Sequence, residues 1–342
     1  MKVVKFSKSY KNVLKLQADY SKENLLNLKT ILKINKKYSA QKRRDHCQNC
    51  LGKITKPFLM NFGIKYSVCN RCGHLNGNYK NTEKFIKWVY GSDAGDHYDQ
   101  QYSKHFDKRV KNIYLPKVKF LKEVIKSKIN LIDLGCGGGH FVKALEMAKI
   151  KATGYEVSKF LVNLGNSKLK KNRLKKVAIR DLFQIIQSEN KANVVSLIGV
   201  LEHFNKPNDF FRSFLKSKIK YLYIAVPLFS LTALLENVFK GVYPRHLSGD
   251  HTHLYTKESL EYLAKKNKLK IIGEWWFGAD IPDLFRSLLI SSNYLNKQVY
   301  VKELNKNLYS VIDELQNVLD RNKICSEVHM ILKKTTNVYG KD

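Results

Sequence analysis

The chain has 342 residues, with 44% hydrophobic and 27% charged side chains and 6 Pro, which excludes a mini-protein, a fibrous repeat and a wholly disordered polypeptide. Lys and Arg total 62 against 29 acids, a formal net charge of +33, yet only 10 of the basic residues are Arg. Diffuse lysine without arginine forks reads first as bulk solubility and compositional bias and only second as a nucleic-acid footprint, and an anionic small substrate is compatible with either.

Residues 1–44 are basic and read as mostly helical, since "SKENLLNLKTILKINKKY" repeats apolar residues at helical spacing after Ser21, a candidate cap. The opening "MKVVKFSKSYKNVLKLQ" is too polar for a secretory leader, and the 6 Cys are not spaced as a secreted disulfide framework. A reducing cytoplasm is the expected compartment. "HCQNC" and "VCNRC" then set Cys47, Cys50, Cys69 and Cys72 as two C-x2-C pairs with 18 residues between them. Two turns offering four thiolates close a tetrahedral Zn2+ site with no open position, so residues 45–81 are predicted to be a structural zinc knuckle or ribbon. His46 and His74 flank the pairs; either could replace one thiolate, but they are read first as outer or exposed residues.

Residues 82–128 read as a helical linker and lid, broken by the Gly-, Asp- and Tyr-rich "YGSDAGDHYDQQYSKHF". From residue 129 short apolar strands ("NLIDLG", "KATGYEV", "KKVAI", "ANVVSLI", "KYLYIAV") alternate with helical segments, which predicts a doubly wound α/β domain over 129–335. Two further strands, "LKIIGEWWF" and "SEVHMILKK", bracket a helical insert at 280–322. The apolar run from Tyr221 to Phe239 contains Pro227 and Glu236 and reads as a buried strand and a helix, with no membrane span.

The densest signal is "LIDLGCGGGH". A first strand that ends in a ligand-binding turn needs glycines where a Cβ would clash or forbid the dihedrals, and Gly135, Gly137 and Gly139 occupy that turn. The helix that follows aims its free N–H groups at the ligand. The spacing is D-x-G-x-G-x-G, whereas a pyrophosphate turn is G-x-G-x-x-G, and position 140 is His. Asp133 at the strand end repels a diphosphate and suits an ammonium, such as the amino-acid end of S-adenosylmethionine. Glu156, closing the second strand, is placed to accept both ribose hydroxyls.

These residues resemble the class I S-adenosylmethionine-dependent methyltransferases over about 129–275. "DLGCGGG" matches the family's first motif, and "IRDLF" places Asp181 beside the adenine amino group. "VVSLIGVLEHFNKP" matches the fourth-strand motif and brings Gly199 to the cofactor. The resemblance implies a seven-stranded Rossmann-like sheet whose last two strands form an antiparallel edge, with S-adenosylmethionine as cofactor. "DHTHLYTKESLEYLAKKNKL" and the four-cysteine module are similar to bacterial enzymes that methylate sugars and other small metabolites in deoxysugar and polysaccharide pathways. The extra C-terminal domain of the sugar C-methyltransferases is not found, so O- or N-methylation is expected.

Methyl transfer needs an oriented acceptor and a group to take its proton. His203, with Glu202 before it, follows the fourth strand at the ligand-binding edge and either touches cofactor or acceptor or orders its loop. His251 and His253 alternate in a polar loop, with three readings in order: general base, loop residue, and metal pair with Asp250. Tyr98 and Tyr102 either close over the sulfonium or cap the core. Trp275 and Trp276 read as core, and Cys136 as a small turn residue. Two other functions stay open: an RNA or protein methyltransferase gripping its substrate with the basic zinc module, and a non-catalytic scaffold on the nucleotide fold.

Overall fold

The computed structural model describes residues 1–10, 20–54, 56–91, 105–249, 251–294 and 298–335. The chain opens with a strand, β1 (Val3–Phe6), ahead of the expected helix α1 (Tyr20–Ser39). This corrects the helical reading of the first residues: β1 pairs in parallel with Gly273 to Trp276, a partner that no local period reveals. Ser21 lies inside α1 and does not cap it.

The cysteine module is an antiparallel ribbon of β2 (Leu59–Asn61), β3 (Ile64–Val68) and β4 (Leu75–Gly77). Helices α2 (Glu83–Gly91) and α3 (Phe106–Arg109) follow, the latter running through a π turn (Val110–Tyr114) into α4 (Leu115–Val124).

The domain beyond supplies β5 (Asn130–Leu134), β6 (Lys151–Glu156), β7 (Leu174–Lys176), β8 (Val194–Ile198), β9 (Tyr221–Pro227), β10 (His253–Leu254), β11 (Leu269–Phe277) and β12 (Glu327–Lys334). Between them lie α5 (His140–Met147), α6 (Lys159–Leu169), α7 (Leu182–Ser188), α8 (Pro207–Lys216), α9 (Leu231–Val238), α10 (Lys257–Lys266), α11 (Asp280–Tyr294) and α12 (Gln298–Arg321). Local chemistry sets several helix starts. Pro207 stands in the first turn of α8, Ser158 caps α6 by accepting from Leu161 N at 3.2 Å, and Thr256 with Ser259 forms a reciprocal capping box on α10.

The main sheet has the order β7-β6-β5-β8-β9-β12-β11-β1. The seven expected strands are there, with β12 antiparallel to both β9 and β11, and β1 adds an eighth at the edge. Alternate residues feed opposite faces: Ile132, Leu197 and Ile224 enter one core, Leu131, Val194 and Tyr223 the other. Trp275 and Trp276 are both buried, as the core reading required. Among the described residues no helix is long and apolar enough to cross a membrane.

Two features position the site. The chain winds from β5 outward to β7, then resumes at β8 on the other side of β5, a switch point where a crevice opens at the strand ends. The ribbon does not stand apart, because β4 pairs with β10, with His253 opposite Asn76 and Leu254 opposite Leu75. Ile34, Tyr38, Tyr66, Leu75 and Phe85 share one core with Ala233, Leu247 and Leu254, so the boundary expected at residue 129 crosses a continuous interior.

Candidate active site

The turn after β5 folds back on the end of β6, where Tyr155 O accepts from Gly135 N at 2.8 Å and from Cys136 N at 3.1 Å. Gly135, Gly137 and Gly139 all have positive φ, at 67°, 51° and 79°. At Gly135 the requirement is also steric, since a Cβ there would lie 2.6 Å from Val200 Cγ2 in the loop after β8. A methyl group would wedge the two lips of the crevice apart.

Glu156 is held by the same turn. Its Oε2 accepts from Gly137 N at 2.8 Å, and its Oε1 from Val157 N at 2.7 Å and Ser158 N at 3.0 Å. A carboxylate has about four acceptor positions, so roughly one remains for a ligand hydroxyl. Glu156 is thus first a brace for the turn, and a ribose gets what the backbone leaves.

Asp133 lies inside the sheet, 3% exposed, and accepts from Ser196 Oγ at 2.6 Å. Burial pushes its carboxyl up to about 7, the Ser196 hydrogen bond opposing and the Glu156 charge adding. The sequence places it at an open strand end; the structure places it under the turn. Ser196 was not singled out from sequence, although a lone hydroxyl in "NVVSLI" is the signal that could have found it. A raised folded pKa favours the protonated form, so this stability is full below about 4, the unfolded carboxyl value, and is lost as pH rises through about 7. The ligand-free protein is expected to weaken to urea between pH 5 and pH 8, and Asp133→Asn to weaken less. Identical slopes in both proteins would remove Asp133 from this role.

Across the switch point, Gly199 is exposed at φ 67° and precedes the short turn Leu201–His203. Glu202 is buried, His203 is part-exposed, and their Oε1 and Nε2 atoms are 4.0 Å apart. The His203 and His251 rings have centroids 5.0 Å apart, and the donor atoms of Glu202, His203 and His251 all lie within 4.8 Å of one another. Three of the four expected catalytic residues therefore converge.

His253 does not join them, so of the readings given to the two histidines neither general base nor metal partner of His251 fits it. Pairing of β10 with β4 turns it into the seam with the ribbon, where its Nδ1 is 2.9 Å from His74 Nε2. Burial holds His253 well below the usual histidine range and His74 down at about 4, so two neutral rings share the hydrogen bond. The fully buried Tyr255 packs against both, with centroids 4.7 and 5.4 Å away, and the Glu202 charge adds to burial in raising its phenol. Sequence reasoning left His74 as an outer residue; it is the link between ribbon and site.

Asp181 sits on the turn Ile179–Asp181 with its side chain half exposed, 3.6 Å from Arg180 Nε. Tyr98, Tyr102 and Asp250 lie outside the described residues. His140, noted in the sequence only as departing from the pyrophosphate glycine pattern, packs on Phe106 and Tyr114 at 4.2 and 5.3 Å and docks the α3–α4 segment beside the glycine turn.

The four cysteines are buried, with Cys47 and Cys72 sulfurs 3.7 Å apart and Cys50 and Cys69 sulfurs 3.4 Å apart. Amide N–H groups of Gly52, Asn76 and Asn49 point at Cys50, Cys47 and Cys72, at 3.3, 3.5 and 3.7 Å, as suits thiolates. The donor set fits a closed tetrahedral Zn2+ site. The same knuckle grips the site domain: Asn49 Nδ2 donates to Ser259 O at 2.8 Å, and Gln48 Nε2 to Phe204 O and Asn205 O at 3.3 and 3.2 Å, just beyond His203.

A family described as a methyltransferase domain matches residues 106–274. No curated protein sequence matches the chain. Similar solved structures include a magnesium protoporphyrin IX methyltransferase from Synechocystis PCC 6803, at 11% identity and TM-score 0.48, covering 74% of this chain and 100% of that one. Another is a SAM-dependent methyltransferase from Archaeoglobus fulgidus, at 16% identity and TM-score 0.44, covering 71% and 100%. A third is a putative sarcosine dimethylglycine methyltransferase from Galdieria sulphuraria, at 11% identity and TM-score 0.44, covering 73% and 100%.

Proposed function

We propose, on the match of residues 106–274 to a methyltransferase-domain family, that the chain is a class I S-adenosylmethionine-dependent methyltransferase and that it methylates an oxygen or nitrogen of a small anionic metabolite, a nucleotide-linked sugar or surface-polysaccharide precursor. The observation that carries this reading is the convergence of Glu202, His203 and His251 at the end of β8, across the switch point from the glycine turn. The backbone of Gly135 to Gly139, the remaining acceptor position of Glu156 and the half-exposed Asp181 would hold the cofactor, which supplies an electrophilic methyl on sulfur. What the protein adds is placement and proton handling. The acceptor atom must lie in line with the methyl and shed its proton, and we assign both tasks to the cluster of Glu202, His203 and His251. The net charge of +33 supports an anionic substrate. We assign Zn2+ to the four thiolates as a structural ion and a reducing cytoplasm as the setting in which they stay reduced.

Incubation with methyl-labelled S-adenosylmethionine and a panel of nucleotide sugars, followed by product mass analysis, is expected to show a gain of one methyl on one of them. Label appearing instead on RNA, with binding that falls steeply as salt rises, would replace this reading with that of an RNA methyltransferase.

A further inference from the structure

We propose that Glu202, His203 and His251 bind a divalent cation that grips two neighbouring oxygens of the acceptor; the proposal rests on the methyltransferase reading above and specifies its substrate as a vicinal diol or hydroxy acid. Two imidazoles and one carboxylate, with donor atoms all within 4.8 Å of one another, are a ligand set that suits first-row divalent ions and leaves coordination positions open. Donors on adjacent positions around such an ion lie about 3 Å apart, given metal–ligand distances near 2.1 Å, so the part-exposed His203 and His251 would turn toward Glu202 on binding. Glu202 is only 2% exposed, and a carboxylate this deeply buried gains from a cation beside it. The site differs in kind from the four thiolates, which select a softer ion and leave no position vacant.

The placement gives the ion a task. It lies at the carboxyl end of β8, next to the exposed Gly199, on the side of the crevice facing the glycine turn. A hydroxyl on the cation loses its proton to water more readily, and its oxygen then bonds to the methyl carbon as the sulfur–methyl bond breaks. The sulfur keeps the electron pair, and one proton is released for each methyl transferred. A second oxygen on the same ion fixes the acceptor's orientation, so one hydroxyl of a pair is chosen.

The test uses the full-length protein holding one zinc per chain, and Mn2+, a probe that thiolate sites disfavour. Titration followed by electron paramagnetic resonance is expected to show one Mn2+ bound per chain. His203→Ala and His251→Ala should each weaken it at least about tenfold, by analogy with metal-site substitutions, and Glu123→Gln, at an exposed carboxylate on α4, should leave it unchanged. Retained zinc and retained S-adenosylmethionine binding show that each variant is folded. Absence of Mn2+ binding by the parent protein, or equal binding by the histidine variants, overturns the proposal, as does methyl transfer that persists unchanged in protein dialysed to one zinc per chain and no other metal. In that last outcome the methyltransferase reading stands and the cation falls, whereas failure to bind S-adenosylmethionine sinks the reading itself.

Discussion

Cys50→Ser is expected to lose zinc and, with it, methyl transfer, while binding of S-adenosylmethionine weakens only a few-fold. Four thiolates hold a structural Zn2+ with about 10–16 kcal/mol of apparent free energy at neutral pH, comparable to the whole stability of an ordinary domain, about 5–15 kcal/mol. A ribbon of three short strands has no comparable core of its own, so losing one ligand unfolds it. The damage spreads because, among the described residues, β10 pairs in the small sheet with β4 alone, and His251 stands two residues before His253. Gln48 would also release Phe204 and Asn205, the residues that follow His203. Misplacing a catalytic group by about 1 Å costs on the order of 100-fold in rate, so at least that loss is expected. The glycine turn lies on the other side of the switch point and is braced by β6, which is why cofactor binding survives. Zinc content, calorimetry with the cofactor and product mass measured on one preparation decide the matter. Full methyl transfer without zinc would show that the ribbon does not position the site.

Gly135→Ala is expected to reduce S-adenosylmethionine affinity by about 100-fold or more, by opening the lips of the crevice. Two costs are involved and they can be separated. The left-handed backbone costs a non-glycine residue about 1–2 kcal/mol, and a Cβ placed 2.6 Å from Val200 Cγ2 is far inside ordinary carbon contact, about 3.5–4.0 Å. Val200 is β-branched and stiff, so it cannot turn away. Val200→Ala in the same chain removes the second cost and leaves the first, so the double variant should regain part of the affinity. Calorimetry on the single and double variants reads both terms. A single variant that binds like the parent would mean that the cofactor lies elsewhere.

The amino-acid sequence by itself determined what is encoded at short range. The glycine turn with Asp133 and Glu156 was legible because an apolar strand, a turn needing positive φ and an acid at the next strand end follow from spacing alone. The two C-x2-C pairs were legible because a metal's ligand geometry constrains residues three apart. The alternation of strand and helix gave the doubly wound sheet and, with the motif resemblance, its seven expected strands. Trp275 and Trp276 read correctly as core because side chains of that size find burial almost anywhere inside such a sheet.

Only the tertiary structure decided which of two alternating histidines faces the crevice. His251 and His253 look equivalent in "GDHTHLYT", and the choice is made by β4, whose Asn76 pairs with His253 from far along the chain. The same reason hid β1, whose partner begins at Gly273, and the Ser196 hydroxyl that meets Asp133 across neighbouring strands. It also hid His74 and Gln48, which join the ribbon to the site. Local periodicity reports which face of an element is buried, whereas these contacts depend on which element lies opposite, and that is fixed only when the whole chain packs.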